Sequence, residues 1–196
     1  MPDATAPART ERLFNGVDRV LSVFEMAMVA AAAASLFLIM VLIFADAMGR
    51  YLFNSPLSFV FDLVVLYLMS SALLLILSYT LRHGGHISID LFANMMPRRV
   101  YLVLIGVSLL VAAVVTGIIG WETTHLAHES WAMGEVMTGI HTWQLWISKA
   151  LVAVGFIGLT LRLVHIGLAN LIAGLTGNDA LAIAIMHDPT DQEGEL

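Results

Sequence analysis

Four long apolar segments separated by short polar breaks organise this chain: Met26–Ala45, Val60–Leu81, Val100–Gly120 and Trp143–His165. A hydrocarbon core about 30 Å thick is crossed by a helix of roughly 20 such residues. Runs such as LVVLYLMSSALLLILSYTL lack the polar residue at every second position that a lipid-facing barrel strand needs. The pattern therefore predicts an all-α integral membrane protein with four transmembrane helices. Residues 26–166 are expected to form the transmembrane domain, 1–25 a cytoplasmic tail with an amphipathic helix, and 167–196 a cytoplasmic C-terminal tail that is polar from His187 onward.

Two shorter segments have the character of interfacial helices. Leu13, Phe14, Val17, Val20, Leu21 and Phe24 recur at helical spacing, with Arg12, Asn15 and Arg19 between them. This pattern predicts a helix lying on the membrane surface and leading toward the first span. After His86, Ser88 is placed to cap a short helix whose Leu91, Phe92 and Met95 share a face and which Pro97 ends. The stretch RHGGHISID, from Arg82 to Asp90, then falls in the turn before it. Small residues from Ala30 to Ser35 resemble a signal-cleavage site, but the apolar run continues to Phe44, which predicts an uncleaved anchor.

Basic residues set the expected orientation. Arg9, Arg12 and Arg19 precede the first span, Arg82, Arg98 and Arg99 lie between the second and third, and Arg162 is near the end of the fourth. The other side has Arg50, and no Lys or Arg between Trp121 and Trp143. Both termini are expected in the cytoplasm. Trp121, Trp131, Trp143 and Trp146 gather at the outer interface, where amphipathic rings settle.

Composition agrees with a membrane location: 59% of residues are hydrophobic, 12% are charged, and mean hydropathy is +0.88. The absence of cysteine removes disulfides, thiolate catalysis and iron–sulfur ligation by the chain itself. A net charge of −6 argues against nucleic-acid binding.

Candidate chemistry is sparse. His83, His86 and Asp90 are zinc-ligand types, but Gly84-Gly85 breaks the helix that would align them, so a turn is the preferred reading. Glu122, His125, His128 and Glu129 contain one Glu-x-x-His element, whereas a di-iron bundle needs a second. A solvated extension of the third helix is expected there. A b-type cytochrome anchor, the alternative function, requires facing axial histidines within the spans, yet His83, His141 and His165 lie near span ends. No catalytic, cofactor or metal residue is assigned. There is no phosphate-binding loop, nucleophile elbow or His-Glu-x-x-His, and no pair of Gly/Pro-broken helices of the kind that builds transporter sites.

Charges inside spans cost about 2.5 to 3.5 kcal/mol on insertion scales. Lys149 enters the fourth helix and Asp62 the second from the same side, where they either pair or snorkel separately to the interface. Asp46 is placed to reach Arg50 one turn later. Small residues provide faces for close approach: Ala27, Ala31 and Ala34 with Ala30 and Ser35, then Gly117 and Gly120, then Gly155 and Gly158. These serve bundle assembly or docking onto another membrane protein.

GRYLFNSPLSFVFDL, followed by an apolar helix and RHGGHISIDLFANMMP, resembles the small membrane subunit, DctQ type, of tripartite ATP-independent periplasmic (TRAP) transporters. Arg50, Asn54, Pro56, Leu57, Asp62, Arg82, Gly84 or Gly85, His86, Ile87, Asp90, Leu91 and Pro97 take the places of the family pattern. Departures are Phe59 for a common Trp, Phe61-Asp62 for an acidic pair, and Ile89 for Val. The resemblance implies a chain that performs no chemistry in the bacterial inner membrane. Its implied partners are a large DctM-type membrane subunit, a periplasmic substrate-binding protein and membrane lipids. The large subunit would move organic acids by an elevator motion driven by sodium, with this chain as its scaffold. Arg50, Asn54, Pro56 and Asp62 would then shape contacts to the large subunit or the docked binding protein, His86, Ser88 and Asp90 would fix the cytoplasmic turn and the helix after it, and Lys149 has no counterpart in the pattern.

Overall fold

The computed structural model describes residues 9–82, 97–139 and 141–177. Four helices long and apolar enough to cross a membrane dominate it. Helix α1 is Arg9–Phe53, α2 Ser58–Arg82, α3 Arg98–Met133 and α4 Leu145–Thr176. Strands β1, Val136–Met137, and β2, Trp143–Gln144, form a small antiparallel hairpin between α3 and α4. The helix of the fourth span thus begins at Leu145, since Trp143 and Gln144 are taken up by strand pairing with Met137 and Val136.

Apart from Trp143 and Gln144, each apolar segment lies in one helix, but three of the helices run well past the apolar residues. At 1.5 Å per residue, α1 with 45 residues is about 67 Å long and α3 with 36 about 54 Å, against a hydrocarbon thickness of about 30 Å. Hydropathy marks the length in hydrocarbon. The backbone ladder continues until a residue breaks it. Met133 is followed by Gly134 at φ 63°, and the amide of Glu135 closes on the carbonyl of Ser130 at 2.9 Å, satisfying the end of α3. The segment from Glu122 to Glu129 is accordingly a helical extension, with Ala127 buried within it and Ser130 buried just after it.

The amphipathic segment around residues 13–24 is helical. It is continuous with the first span in α1, and its Asp18 turns to α4. A helix with Asp18, Ser22 and Glu25 on one face finds arginines from α2 and α4 there. The short helix expected after Ser88 lies outside the described residues.

Helix α4 is central. Of its apolar stretch 44% is buried within the chain, against 11% for α1. Glycines let α3 and α4 touch backbone to backbone. A Cβ on Gly106 would stand 2.8 Å from the amide of Leu171 and 3.0 Å from the carbonyl of Gly167, and one on Gly174 would stand 3.0 Å from the carbonyl of Arg99. Gly117 and Gly120 face Thr160 and Ile157 at ordinary contact distance, while Gly155 admits Leu74 of α2 and Gly158 admits Met28 of α1. The small residues of α3 and α4 are therefore spent inside the bundle. Ala27, Ala30, Ala31 and Ala34 are instead exposed, and α1 packs through Met28 and Ala32 against Leu75.

Helix α2 is interrupted by a π-helical turn, Val64–Leu68. Such a turn carries one extra residue and re-aims the side chains around it. Tyr67, within it, donates its hydroxyl hydrogen to the carbonyl of Gln144 at 2.8 Å, tying α2 to the hairpin.

Candidate functional site

Polar side chains gather at three places. The first is the turn between α1 and α2, built by the GRYLFNSPL stretch. Asp46 accepts from Nε of Arg50 at 2.8 Å through one carboxylate oxygen and from the amide of Leu57 at 2.8 Å through the other. Asn54 adopts φ 51°, the left-handed conformation that Asn tolerates better than most residues. Gly49 accepts at its carbonyl from the amide of Ser55 at 3.1 Å, and a Cβ there would stand 2.8 Å from the Ser55 carbonyl oxygen. Pro56 follows with no amide to satisfy. Arg50, Asn54 and Pro56 are thus parts of one helix-terminating turn whose other necessary members are Gly49 and Asp46. The Asp46–Arg50 contact expected from the one-turn spacing is present.

The second is a latch at the same end of the bundle. Lys149 donates to Glu135 Oε2 at 2.8 Å and also to the hydroxyl of Ser130, which itself donates to Glu135 at 2.5 Å. Of the two arrangements open to Lys149, pairing with Asp62 is replaced by pairing with Glu135. Gly134 turns the chain so that the Glu135 carboxylate meets the ammonium. Asp62 is half-buried and makes no ion pair among the described residues. The Lys149 ammonium, with Ser130 in support, holds the Glu135 carboxyl below its ordinary range.

The third cluster lies toward the opposite end and was not legible as a site. Glu25 and Arg162 are 1% and 2% exposed. Arg162 donates from Nη1 to Asp18 Oδ1 at 2.6 Å, and its Nε lies 3.5 Å from Glu25 Oε1. Arg82 donates to Ser22 at 2.5 Å and faces Asp18 at 3.5 Å and Glu25 at 3.9 Å. Ser78 donates to Glu25 at 2.6 Å. His165 sets Nε2 3.3 Å from the carbonyl of Phe14 and its ring against the Phe14 ring. Two carboxylates meet two guanidinium groups, so the cluster balances its charge. The available signal was the spacing Asp18, Ser22, Glu25 on one helical face, together with an arginine inside the fourth apolar segment.

Of the remaining predicted residues, Arg82 belongs to this third cluster, whereas His86 and Asp90 lie outside the described residues. His125 and His128 are exposed on the α3 extension beside Trp121 and Trp131.

A four-helix, multi-pass membrane bundle with ion pairs joining its first, second and fourth helices defines an integral membrane component. The sequence profile described as tripartite ATP-independent periplasmic transporters, DctQ component, matches residues 39–174. The chain belongs to the DctQ family, the small membrane subunits of TRAP transporters. No curated protein and no solved structure matches it.

Proposed function

We propose that this chain is the non-catalytic small permease subunit of a sodium-driven, binding-protein-dependent transporter of organic acids, and that it acts as a stationary scaffold for a large elevator-type membrane subunit of DctM type. One observation carries the scaffold reading. Asp18, Glu25, Arg82 and Arg162 are engaged in contacts that hold helices together, while α1 leaves Leu36, Phe37, Met40, Ile43 and Phe44 exposed along its apolar length. A subunit built this way offers a rigid apolar flank and keeps its polar groups for its own cohesion. In this reading both termini are cytoplasmic in the bacterial inner membrane. The turn containing Arg50, Asn54 and Pro56, with Asp62 and the Lys149 latch, faces the periplasm, near the large subunit and the docked binding protein. His86 and Asp90 fix the cytoplasmic turn after Arg82.

The test is purification of the tagged chain from native membranes in mild detergent, with mass spectrometry of what accompanies it. Stoichiometric recovery of a much larger multi-span protein is expected. Sodium-gradient-driven carboxylate uptake in liposomes should then require both membrane chains and the binding protein. Recovery of the chain alone, or with haem-bearing redox subunits, would overturn the proposal.

A further inference from the structure

Helix association in lipid gains nothing from removing apolar surface from water, because the surrounding tails are as apolar as the side chains. What holds each helix must be sought in close backbone packing and in polar contacts. Helices α3 and α4 have the first kind, through Gly106, Gly167 and Gly174, and add a hydrogen bond from Thr160 to Thr116 at 3.0 Å. Helix α1 has much less of it. Among the described residues its buried apolar side chains are Met28 and Ala32, and near the middle it meets α2 through the Ser71–Ser35 hydroxyl contact at 2.6 Å.

Toward its N-terminal end, α1 carries Asp18, Ser22 and Glu25, and every one of them engages α2 or α4. Asp18 meets Arg162 and Arg82, Ser22 meets Arg82, and Glu25 meets Ser78, Arg82 and Arg162. The Phe14 carbonyl adds His165. Removing one member of such a buried set leaves an uncompensated charge, whereas removing an opposite pair leaves the rest balanced.

We propose that Asp18, Glu25, Arg82 and Arg162 form a polar clamp that positions α1 on the bundle, while the α3–α4 hairpin closes without it. Because Asp18 belongs to the first helix and Arg162 to the last, the clamp closes only once the whole chain has inserted. It also fixes which face of α1 is turned inward, and so which apolar face is left for a neighbour.

The chain contains no cysteine, so paired cysteines report helix contacts without background. Ser35→Cys with Ser71→Cys, at 2.6 Å between hydroxyls, reports α1 on α2; Thr116→Cys with Thr160→Cys, at 3.0 Å, reports α3 on α4. Each pair is placed in the full chain in native membranes and oxidised with copper phenanthroline, and remaining thiols are counted with a mass-tagged maleimide. Arg162→Leu or Asp18→Leu should lower cross-linking of the first pair on the order of fivefold and leave the second pair unchanged, and the double Leu variant should be milder than either single. Asp18→Leu alone makes the comparison should Arg162→Leu fail to accumulate. Unchanged cross-linking of the first pair, equal loss at both pairs, or a double variant worse than both singles would each overturn the clamp.

Discussion

Arg162 donates to Asp18 at 2.6 Å across 144 positions of sequence, joining the first helix to the last. The guanidinium is 2% exposed, whereas the Asp18 side chain is 34% exposed. The contact therefore brings a charge from the surface side of α1 to one that has nowhere else to go. Its cost and its value are both set by the buried partner.

Glu25 shares that environment, and its loss should be felt through Arg162. Glu25→Ala is expected to destabilise the bundle by about 3 kcal/mol, the low end for breaking a buried ion set. Ser78→Ala, which removes a hydroxyl that donates to Glu25 and lies 3.3 Å from the Gly158 carbonyl but leaves the charges in place, should cost about 1 kcal/mol. Thermal unfolding in detergent, followed by size exclusion, would show whether the two rank this way.

The α3–α4 contact gives a second, independent expectation. Gly106→Ala places a methyl 2.8 Å from the Leu171 amide, and a helix backbone cannot step aside as a side chain can. A loss of about 1 to 3 kcal/mol is expected, as for other overpacked interiors. At Gly117 the new methyl meets only the Thr160 methyl at 3.4 Å, so Gly117→Ala should be close to neutral. Equal melting shifts for the two variants would contradict the backbone-contact reading.

The latch should respond to acid. The Glu135 carboxyl is held by Lys149 below the ordinary glutamate value of 4.5, so its contribution is fully present above about that pH and is lost as pH falls through the lower folded value. Tryptophan emission, with Trp131, Trp143 and Trp146 close to the latch in sequence, should report a transition below pH 4.5 in the native chain. Lys149→Met should shift that transition up toward the ordinary carboxylate range. An unmoved transition would detach it from this pair.

The Asp46 turn predicts a local effect. Asp46→Ala removes both the Arg50 partner and the acceptor for the Leu57 amide. Hydrogen exchange at residues 54–58 should accelerate by about tenfold, since the amide is then protected only by fluctuating contacts. Residues in α3 should exchange unchanged.

The α1–α2 turn shows what a motif in sequence carries and what it leaves out. Arg50, Asn54 and Pro56 could be picked out as a set from the resemblance, and Asp46 could be paired with Arg50 from spacing alone. That Asp46 also reaches the Leu57 amide, eleven residues on, depended on the left-handed Asn54 folding the chain back. Lys149 shows the same limit more sharply. Asp62 and Lys149 enter from one side and are of opposite charge, yet the ammonium goes to Glu135 because Gly134 turns that residue over the end of α4.

Sequence alone determined the number of spanning helices, their approximate positions and the family, because hydrocarbon demands uninterrupted apolar length and a motif is local in the chain. Tertiary structure alone decided how far each helix runs, which small residues face inward, and which charges meet. Those depend on backbone approach and on side chains such as Asp18 and Arg162, brought together by packing from opposite ends of the sequence.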